Sequence, residues 1–299
     1  MKGAMVLGGR PAWFCRHRTR LRTRPWAGCI ASILALTAST PLAAQMPPDW
    51  TTPFEPVQIG DNLYYVGSAG LSAFLLTSPE GHVLIDATLE TNVAGILAGV
   101  RALGFDPRDV DLHVVTHAHY DHVEGLNALM AETGGTLAAS AADAHFLERG
   151  EDFGFDSDGY PAVPVHRTVA HLETIRAGDS ELTAHLTPGH TPGCTTWTGT
   201  TTIGGEARSF LILCSLSALR IYRLGGDDPT YAGQARDFCR SLDHLESLSP
   251  DVFLANHGQF FGLDRKAAAR RGGDESAFLD PDGLARYLER ARGAIDRAR

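Results

Sequence analysis

The segment Thr116-His117-Ala118-His119-Tyr120-Asp121-His122 follows directly on an apolar run that ends at Val115. Four good metal ligands fall within six residues. No ordinary strand or helix surface needs that density. At the end of a buried strand it reads as a two-metal site. In extended backbone alternate side chains point the same way, so His117 and His119 can grip one ion together. Asp121 and His122 lie on the turn that follows and can reach a second ion a short way off. Several imidazoles with one carboxylate suit zinc in a hydrolytic dinuclear centre. Two such ions can clamp a hydroxide and a substrate oxygen together.

This run alone leaves the centre short of ligands, and two later histidines complete it. His190 lies in Leu186-Thr-Pro-Gly-His190-Thr-Pro-Gly-Cys194, where Pro and Gly on both sides fix a rigid turn. His257 lies in Phe253-Leu-Ala-Asn-His257-Gly258. Both follow predicted strands. His17, His82, His113, His145, His166, His171, His185 and His244 lack such a setting and read as surface or packed residues.

Residues 1–44 read as separate from the folded core. They carry Lys2, Arg10, Arg16, Arg18, Arg20, Arg22 and Arg24, with no acid before Asp49. An apolar run from Ala27 to Ala44 follows and ends in small residues. A basic start, a short apolar stretch and small residues at its end make a secretory signal peptide, cleaved near Ala44. The stretch is short for a membrane span and rich in Ala, Ser and Thr. It holds seven of the 26 Lys+Arg and none of the 35 Asp+Glu, so its removal moves the formal charge from −9 to −16. So acidic a chain is a poor match for nucleic acid. The expectation is a periplasmic protein with no stable membrane association after cleavage.

The chain is 43% apolar, enough for a full core. Short β signals stand at Val57–Ile59, Leu63–Val66, Ala73–Thr77 and Val83–Asp86. A helix is predicted over Thr91–Leu103, where Val93, Ile96, Leu97 and Val100 keep helical spacing. Then come a strand at Leu112–Thr116 and helices at Gly125–Thr133 and Asp143–Arg149. Glu151–Val165 reads as a long surface loop with Phe153, Phe155 and Tyr160 interspersed, able to cover a substrate. Further strands are predicted at Leu182–Thr187, Thr195–Thr202, Arg208–Leu213 and Val252–Ala255, and helices at Tyr231–Leu248 and Pro281–Arg297. The pattern suggests an α/β (α+β) protein, two facing β-sheets with helices outside, an αβ/βα four-layer sandwich. Residues 45–299 show no convincing linker and read as one domain.

Export permits disulfides. Strands on either side of a Gly204-Gly205 turn put Cys194 roughly opposite Cys214, so these two are expected to pair, with Cys239 left free. Asp86, at the end of a β run, is a candidate to support the ligands from outside. Thr116 can bond a supporting carboxylate whose identity the sequence does not show, and Tyr120 sits at the site's edge by spacing.

The Thr-His-x-His-x-Asp-His run, the Pro-Gly-His-Thr-Pro-Gly loop and the late Asn-His-Gly resemble the metallo-β-lactamase superfamily. The resemblance covers most of the chain after residue 44. It implies that His117, His119 and His190 hold a first zinc ion and Asp121, His122 and His257 a second. No acid occurs between Phe210 and Leu224, where glyoxalase-II-type thioesterases and many lactonases carry a bridging aspartate. Ser215-Leu-Ser217-Ala, with His122 as a ligand, is similar to subclass B3. That likeness implies hydrolysis of the β-lactam amide, carbapenems included, by a hydroxide shared between two zinc ions. Asp121 would orient the hydroxide, and Ser215 and Ser217 would bind the substrate carboxylate. Cys214 adjoins this position and is a rival zinc ligand unless the disulfide occupies it. Another zinc hydrolase of the superfamily, a lactonase or thioesterase, is the alternative.

Overall fold

The computed structural model describes residues 46–298, so the signal-peptide expectation lies outside the described residues. The order is β1 (Val57–Gly60), β2 (Leu63–Tyr65), β3 (Phe74–Leu76), β4 (His82–Ile85), α1 (Val93–Ala102), β5 (Val110–Val114), α2 (Tyr120–Val123), α3 (Leu126–Thr133), β6 (Thr136–Ser140) and α4 (Ala141–Leu147). There follow β7 (Arg167–Val169), β8 (Glu173–Ala177), β9 (Ser180–Leu186), β10 (Thr195–Ile203), β11 (Glu206–Leu213), α5 (Gln234–Leu245), β12 (Val252–Ala255), α6 (Gly258–Phe261), α7 (Leu263–Arg271) and α8 (Gly283–Ala298).

Two mixed sheets result, as the sequence pattern predicts. One runs β1-β2-β3-β4-β5-β6-β7 and the other β12-β11-β10-β9-β8. The first is antiparallel up to β4 and parallel from β4 to β7. The second is antiparallel except where β11 meets β12. The sheets meet through Trp197 of β10, fully buried, whose indole N–H donates to the Val115 carbonyl at 2.9 Å. Thr195 N–H donates to the Thr116 carbonyl at 2.8 Å. This seam places the ends of β5, β9 and β11 together.

Local sequence accounts for the frame. In α1 the buried residues include Val93, Ile96, Leu97 and Val100, the apolar stripe of an amphipathic helix. They pack with Leu84 of β4 and Leu129 of α3 in one apolar cluster. Ser140 caps α4 by accepting the Asp143 N–H at 3.2 Å. Gly134 ends α3 at φ 78°, a left-handed position that glycine takes at little cost.

Several expectations need correction. β5 ends at Val114, two residues before the predicted boundary, so the ligand run begins in a loop rather than on the strand. Asp121 and His122 lie not on a turn but in the one-turn helix α2. Strands β6, β7 and β8 and helices α6 and α7 were not anticipated. β6, Thr-Leu-Ala-Ala-Ser, carries little β signal and is held as a strand by β5 and β7 on either side.

Cys194 and Cys214 form the expected disulfide, with Cα atoms 5.9 Å apart. Cys239 is not free but disulfide-bonded. It lies in α5, and a pairing argument across one β-turn does not reach it. Among the described residues no helix is long and apolar enough to cross a membrane.

Candidate metal centre

The loop after β5 and the short helix α2 deliver His117, His119, Asp121 and His122. The turn after β9 brings His190, and the end of β12 brings His257. These six residues form two groups, His117-His119-His190 and Asp121-His122-His257, and within each the potential ligand atoms lie within 4.8 Å of one another. The three ring centroids of the first group are 4.7 Å apart pairwise. In the second, Asp121 Oδ2 lies 3.3 Å from His122 Nε2 and 3.5 Å from His257 Nε2. Ligand atoms about 2.0–2.1 Å from a tetrahedral zinc stand roughly 3.3 Å from each other.

The surrounding hydrogen bonds decide which ring nitrogen faces the centre. The Asp86 carboxylate can only accept, so the Thr116 hydroxyl donates to its Oδ2 at 2.7 Å. That hydroxyl then accepts from His117 Nδ1 at 3.1 Å, leaving Nε2 with a lone pair. His119 Nε2 donates to the Phe153 carbonyl at 3.0 Å, which leaves Nδ1. His190 Nδ1 donates to the Ser217 carbonyl at 2.8 Å, which leaves Nε2. His122 Nδ1 faces Asp86 Oδ2 at 3.4 Å, which turns Nε2 to Asp121. Four of the five rings are thus oriented from behind, as ligating histidines are, while His257 Nδ1 is buried without a hydrogen-bond partner. His117 Nε2 is buried with no hydrogen-bond partner, and an unsatisfied polar atom of this kind is costly unless it has a ligand.

Electrostatics agree with this donor set at His117, His190 and His257, whereas at His122 burial is outweighed by the Asp121 and Asp86 carboxylates, which raise the pKa to about 10, so that ring must give up a proton to ligate. Burial, then the neighbouring rings, lower the pKa of His117 well below its usual range. Burial lowers His190 to about 4 and His257 to about 3. These rings are neutral at pH 7 and offer lone pairs. Burial opposes charge on Asp121, but His122, by charge and hydrogen bond, and then His257 hold its carboxyl well below the usual range. Asp121 is therefore a carboxylate in a nest of imidazoles, suited to hold a divalent ion.

Residues 69–200 match the family model described as Metallo-beta-lactamase superfamily. The structure superposes on BJP-1, a subclass B3 metallo-beta-lactamase of Bradyrhizobium japonicum, with a TM-score of 0.79 and 36% identity. That match covers 84% of this chain and 95% of BJP-1. The chain belongs to the metallo-β-lactamase superfamily. Curated sequence relatives are more varied. The N-acyl homoserine lactonase AttM of Azorhizobium caulinodans is 28% identical over 157 residues, 40% of this chain and 56% of that protein. A hydroxyacylglutathione hydrolase of Jannaschia sp. is 32% identical over 198 residues, 66% of this chain and 65% of that protein. The chain thus spans about half to two thirds of the curated relatives it matches.

Within this metallo-β-lactamase fold the other sequence candidates take distinct places. Cys214, the rival ligand, is sealed in its disulfide. Ser215 is buried, and its hydroxyl accepts the Ser217 N–H at 3.1 Å. Ser217 is half-buried beside His190. The loop after α4 brings Phe155 edge-on to His119, with centroids 5.3 Å apart. Tyr120 packs against Trp50 at 6.0 Å, and Trp50 also meets His257 at 5.7 Å.

Three residues of the site went unread in the sequence. Asp143 is buried and accepts from Ala118 N–H, Thr191 hydroxyl and Gly193 N–H at 2.9, 3.0 and 2.8 Å, tying the His117–His119 loop to the His190 turn. Burial raises its pKa to about 6 against those donors. Tyr222 brings its hydroxyl to 3.3 Å from His119 Nε2. Asp152 accepts the Tyr120 N–H at 3.3 Å. Only Asp143 carried a signal, an acid in the first turn of a predicted helix, and that reads equally as ordinary capping.

Proposed function

We propose that the protein is a zinc-dependent β-lactamase of the B3 kind. It hydrolyses the β-lactam amide, carbapenems included, with two zinc ions per chain. His117, His119 and His190 hold the first ion, and Asp121, His122 and His257 the second. The observation that carries this reading is the acid count. Among the described residues Asp121 is the one carboxylate in the two groups. At the end of β11, near where glyoxalase-II-type thioesterases and many lactonases carry a bridging aspartate, this chain has Cys214 in a disulfide and then Ser215.

Zinc bound there supplies a water acidified to near neutrality and a Lewis acid for the lactam carbonyl. The chain's own groups do the rest. Asp121, held ionised, orients the attacking water. The Phe153 and Ser217 carbonyls and Asp86 keep His119, His190 and His122 from rotating away. Ser217 and Ser215 bind the substrate carboxylate in this reading, which the nearness of the Ser217 backbone to His190 supports. Trp50 and Phe155 wall the opening with apolar surface, which favours a largely apolar small molecule. The Cys194–Cys214 disulfide favours an oxidising compartment, the periplasm, reached by a signal peptide over residues 1–44. Residues 45–299 then act as one domain.

The lactonase and thioesterase relatives support the alternative reading, another zinc hydrolase. A panel of a chromogenic cephalosporin, an N-acyl homoserine lactone and a glutathione thioester separates the two. The B3 reading expects turnover of the cephalosporin at least a hundredfold more efficient than of the others. The reverse order favours the alternative.

A further inference from the structure

Three consecutive residues of the ligand run are each hydrogen-bonded to the loop between α4 and β7. The Tyr160 hydroxyl donates to the Ala118 carbonyl at 3.4 Å, His119 Nε2 donates to the Phe153 carbonyl at 3.0 Å, and the Tyr120 N–H donates to Asp152 Oδ1 at 3.3 Å. The base of the loop is buried at Asp152, Phe153, Tyr160 and Val163, while residues 154–158 are exposed. The Glu151 and Val163 N–H groups tie that base to the Phe146 and Leu147 carbonyls of α4, both at 3.0 Å. The loop is thus seated on the ligand run at its base and open to solvent at its tip.

Asp152 joins the two segments. One carboxylate oxygen takes the Tyr120 N–H, and the other takes the Ser157 hydroxyl at 3.5 Å. Its own carbonyl accepts the Phe155 N–H at 3.2 Å, which folds the tip back on the base. The next residue, Phe153, supplies the carbonyl that meets His119. Two adjacent bonds therefore link residues 119–120 to residues 152–153, and one cannot shift without the other. Burial raises the Asp152 pKa to about 7 against the Tyr120 N–H. An apolar residue would fill this place without that cost.

We propose that Asp152 is a positioning residue for the first ligand group, and that through it the order of the 151–165 loop and the binding of a divalent ion by His117, His119 and His190 are coupled. His119 offers Nδ1 to an ion while its Nε2–H is held by the Phe153 carbonyl. If the loop lifts, that acceptor leaves, and the Tyr222 oxygen, the farther one at 3.3 Å, is what remains to hold the ring. Conversely, the ring with Nδ1 engaged keeps its proton on Nε2, where it holds the loop down. Loop and ion therefore strengthen each other, and by linkage each does so by the same factor. The tip carries Phe155, whose ring stands edge-on to His119 at 5.3 Å, so the apolar wall of the opening is set in place together with the ligands. This coupling rests on the reading of the first group as metal ligands, whatever the substrate.

The test uses Zn2+ alone and none of its readouts depends on β-lactam turnover. A His257→Ala background leaves the first group to bind by itself. Adding Asp152→Ala there should weaken Zn2+ at least tenfold, as expected for a partner behind a ligand. In a His117→Ala background the same substitution should weaken the second group less than threefold, because Asp86 orients His122. Asp152→Asn keeps an acceptor for the Tyr120 N–H and should bind first-group Zn2+ within threefold of its background. Hydrogen exchange followed by mass spectrometry reads the loop in the parent chain and needs no variant. Zn2+ should slow exchange over residues 151–160 at least tenfold, and this effect should shrink in Asp152→Ala. Unchanged first-group affinity, equal weakening of both groups, or loop exchange indifferent to Zn2+ overturns the proposal. An Asn variant no better than Ala overturns the acceptor role of Asp152. A parent chain that binds no Zn2+ overturns the metal reading and the coupling with it, whereas a parent that binds Zn2+ no better than Asp152→Ala overturns the coupling alone.

Discussion

Asp86 takes the backbone N–H of Thr116 on Oδ1 at 2.6 Å and its hydroxyl on Oδ2 at 2.7 Å, while Oδ2 also faces His122 Nδ1 at 3.4 Å. One carboxylate at the end of β4 thus orients a histidine in each ligand group, His117 through Thr116 and His122 directly. Asp86 does so from φ 62°, a left-handed position that aspartate tolerates better than most residues. Asp86→Asn keeps this backbone preference and removes the charge and one acceptor. Zinc affinity and hydrolysis should each fall about 10–100-fold, as expected for a partner behind the ligands. Competition with a chromophoric chelator and steady-state kinetics read the two effects. Unchanged affinity would show that the ligand rings are held without Asp86.

Asp143 joins the His117–His119 loop to the His190 turn by accepting three hydrogen bonds inside the protein. Asp143→Ala leaves three buried donors without an acceptor. Each unmatched buried group costs about 1–3 kcal/mol, so a total loss of about 3 kcal/mol or more is expected. Urea denaturation in chelator measures it. A loss under about 1 kcal/mol would mean that water replaces the carboxylate at little cost.

His113 gives a pH test away from the metal ligands. It is buried against the Thr133 hydroxyl at 2.8 Å, and burial lowers its pKa from 6.5 to about 4. The native ring refuses a proton that the unfolded chain takes up below pH 6.5. Its contribution to stability is therefore intact above pH 6.5 and falls as the pH drops toward 4, by about 3 kcal/mol in all. The stability difference between the parent and His113→Leu should shrink over that window and level off below it. A difference independent of pH would contradict the assignment.

The Cys194–Cys214 bridge closes a loop with a sequence separation of 20. Loop-closure entropy predicts a loss of about 3 kcal/mol on Cys194→Ala/Cys214→Ala. Cys214 is not a ligand in this account, so zinc stoichiometry should stay unchanged. Loss of one zinc ion per chain in that variant would return Cys214 to the ligand set.

The sequence was most legible where local chemistry is dense. The run from Thr116 to His122 and the Pro-Gly-bracketed His190 turn are close in sequence, and their ligand character needs no tertiary context to see. The helical stripe of α1 and the two strands around Gly204-Gly205 were readable for the same reason, because periodicity and turn residues are local signals. The partners behind the ligands were not. Asp86 was suspected, but its match to Thr116 crosses 30 residues and appears only when β4 lies beside β5. The Ser217 carbonyl that orients His190 is backbone, and no side-chain pattern announces it. Tyr222 and Asp152 act from irregular segments whose paths the fold alone sets. Strand β6 escaped notice because its alanines owe their extended state to neighbours on both sides.

The central claim is zinc-dependent opening of the β-lactam ring at the paired ligand groups. Its most direct test is carbapenem hydrolysis by the purified protein, first stripped with chelator and then titrated with zinc. The account predicts no turnover when stripped, recovery that saturates as the two groups fill, and no recovery in His117→Ala/His257→Ala. Saturation of both groups with zinc and still no opening of a carbapenem, penicillin or cephalosporin would contradict it.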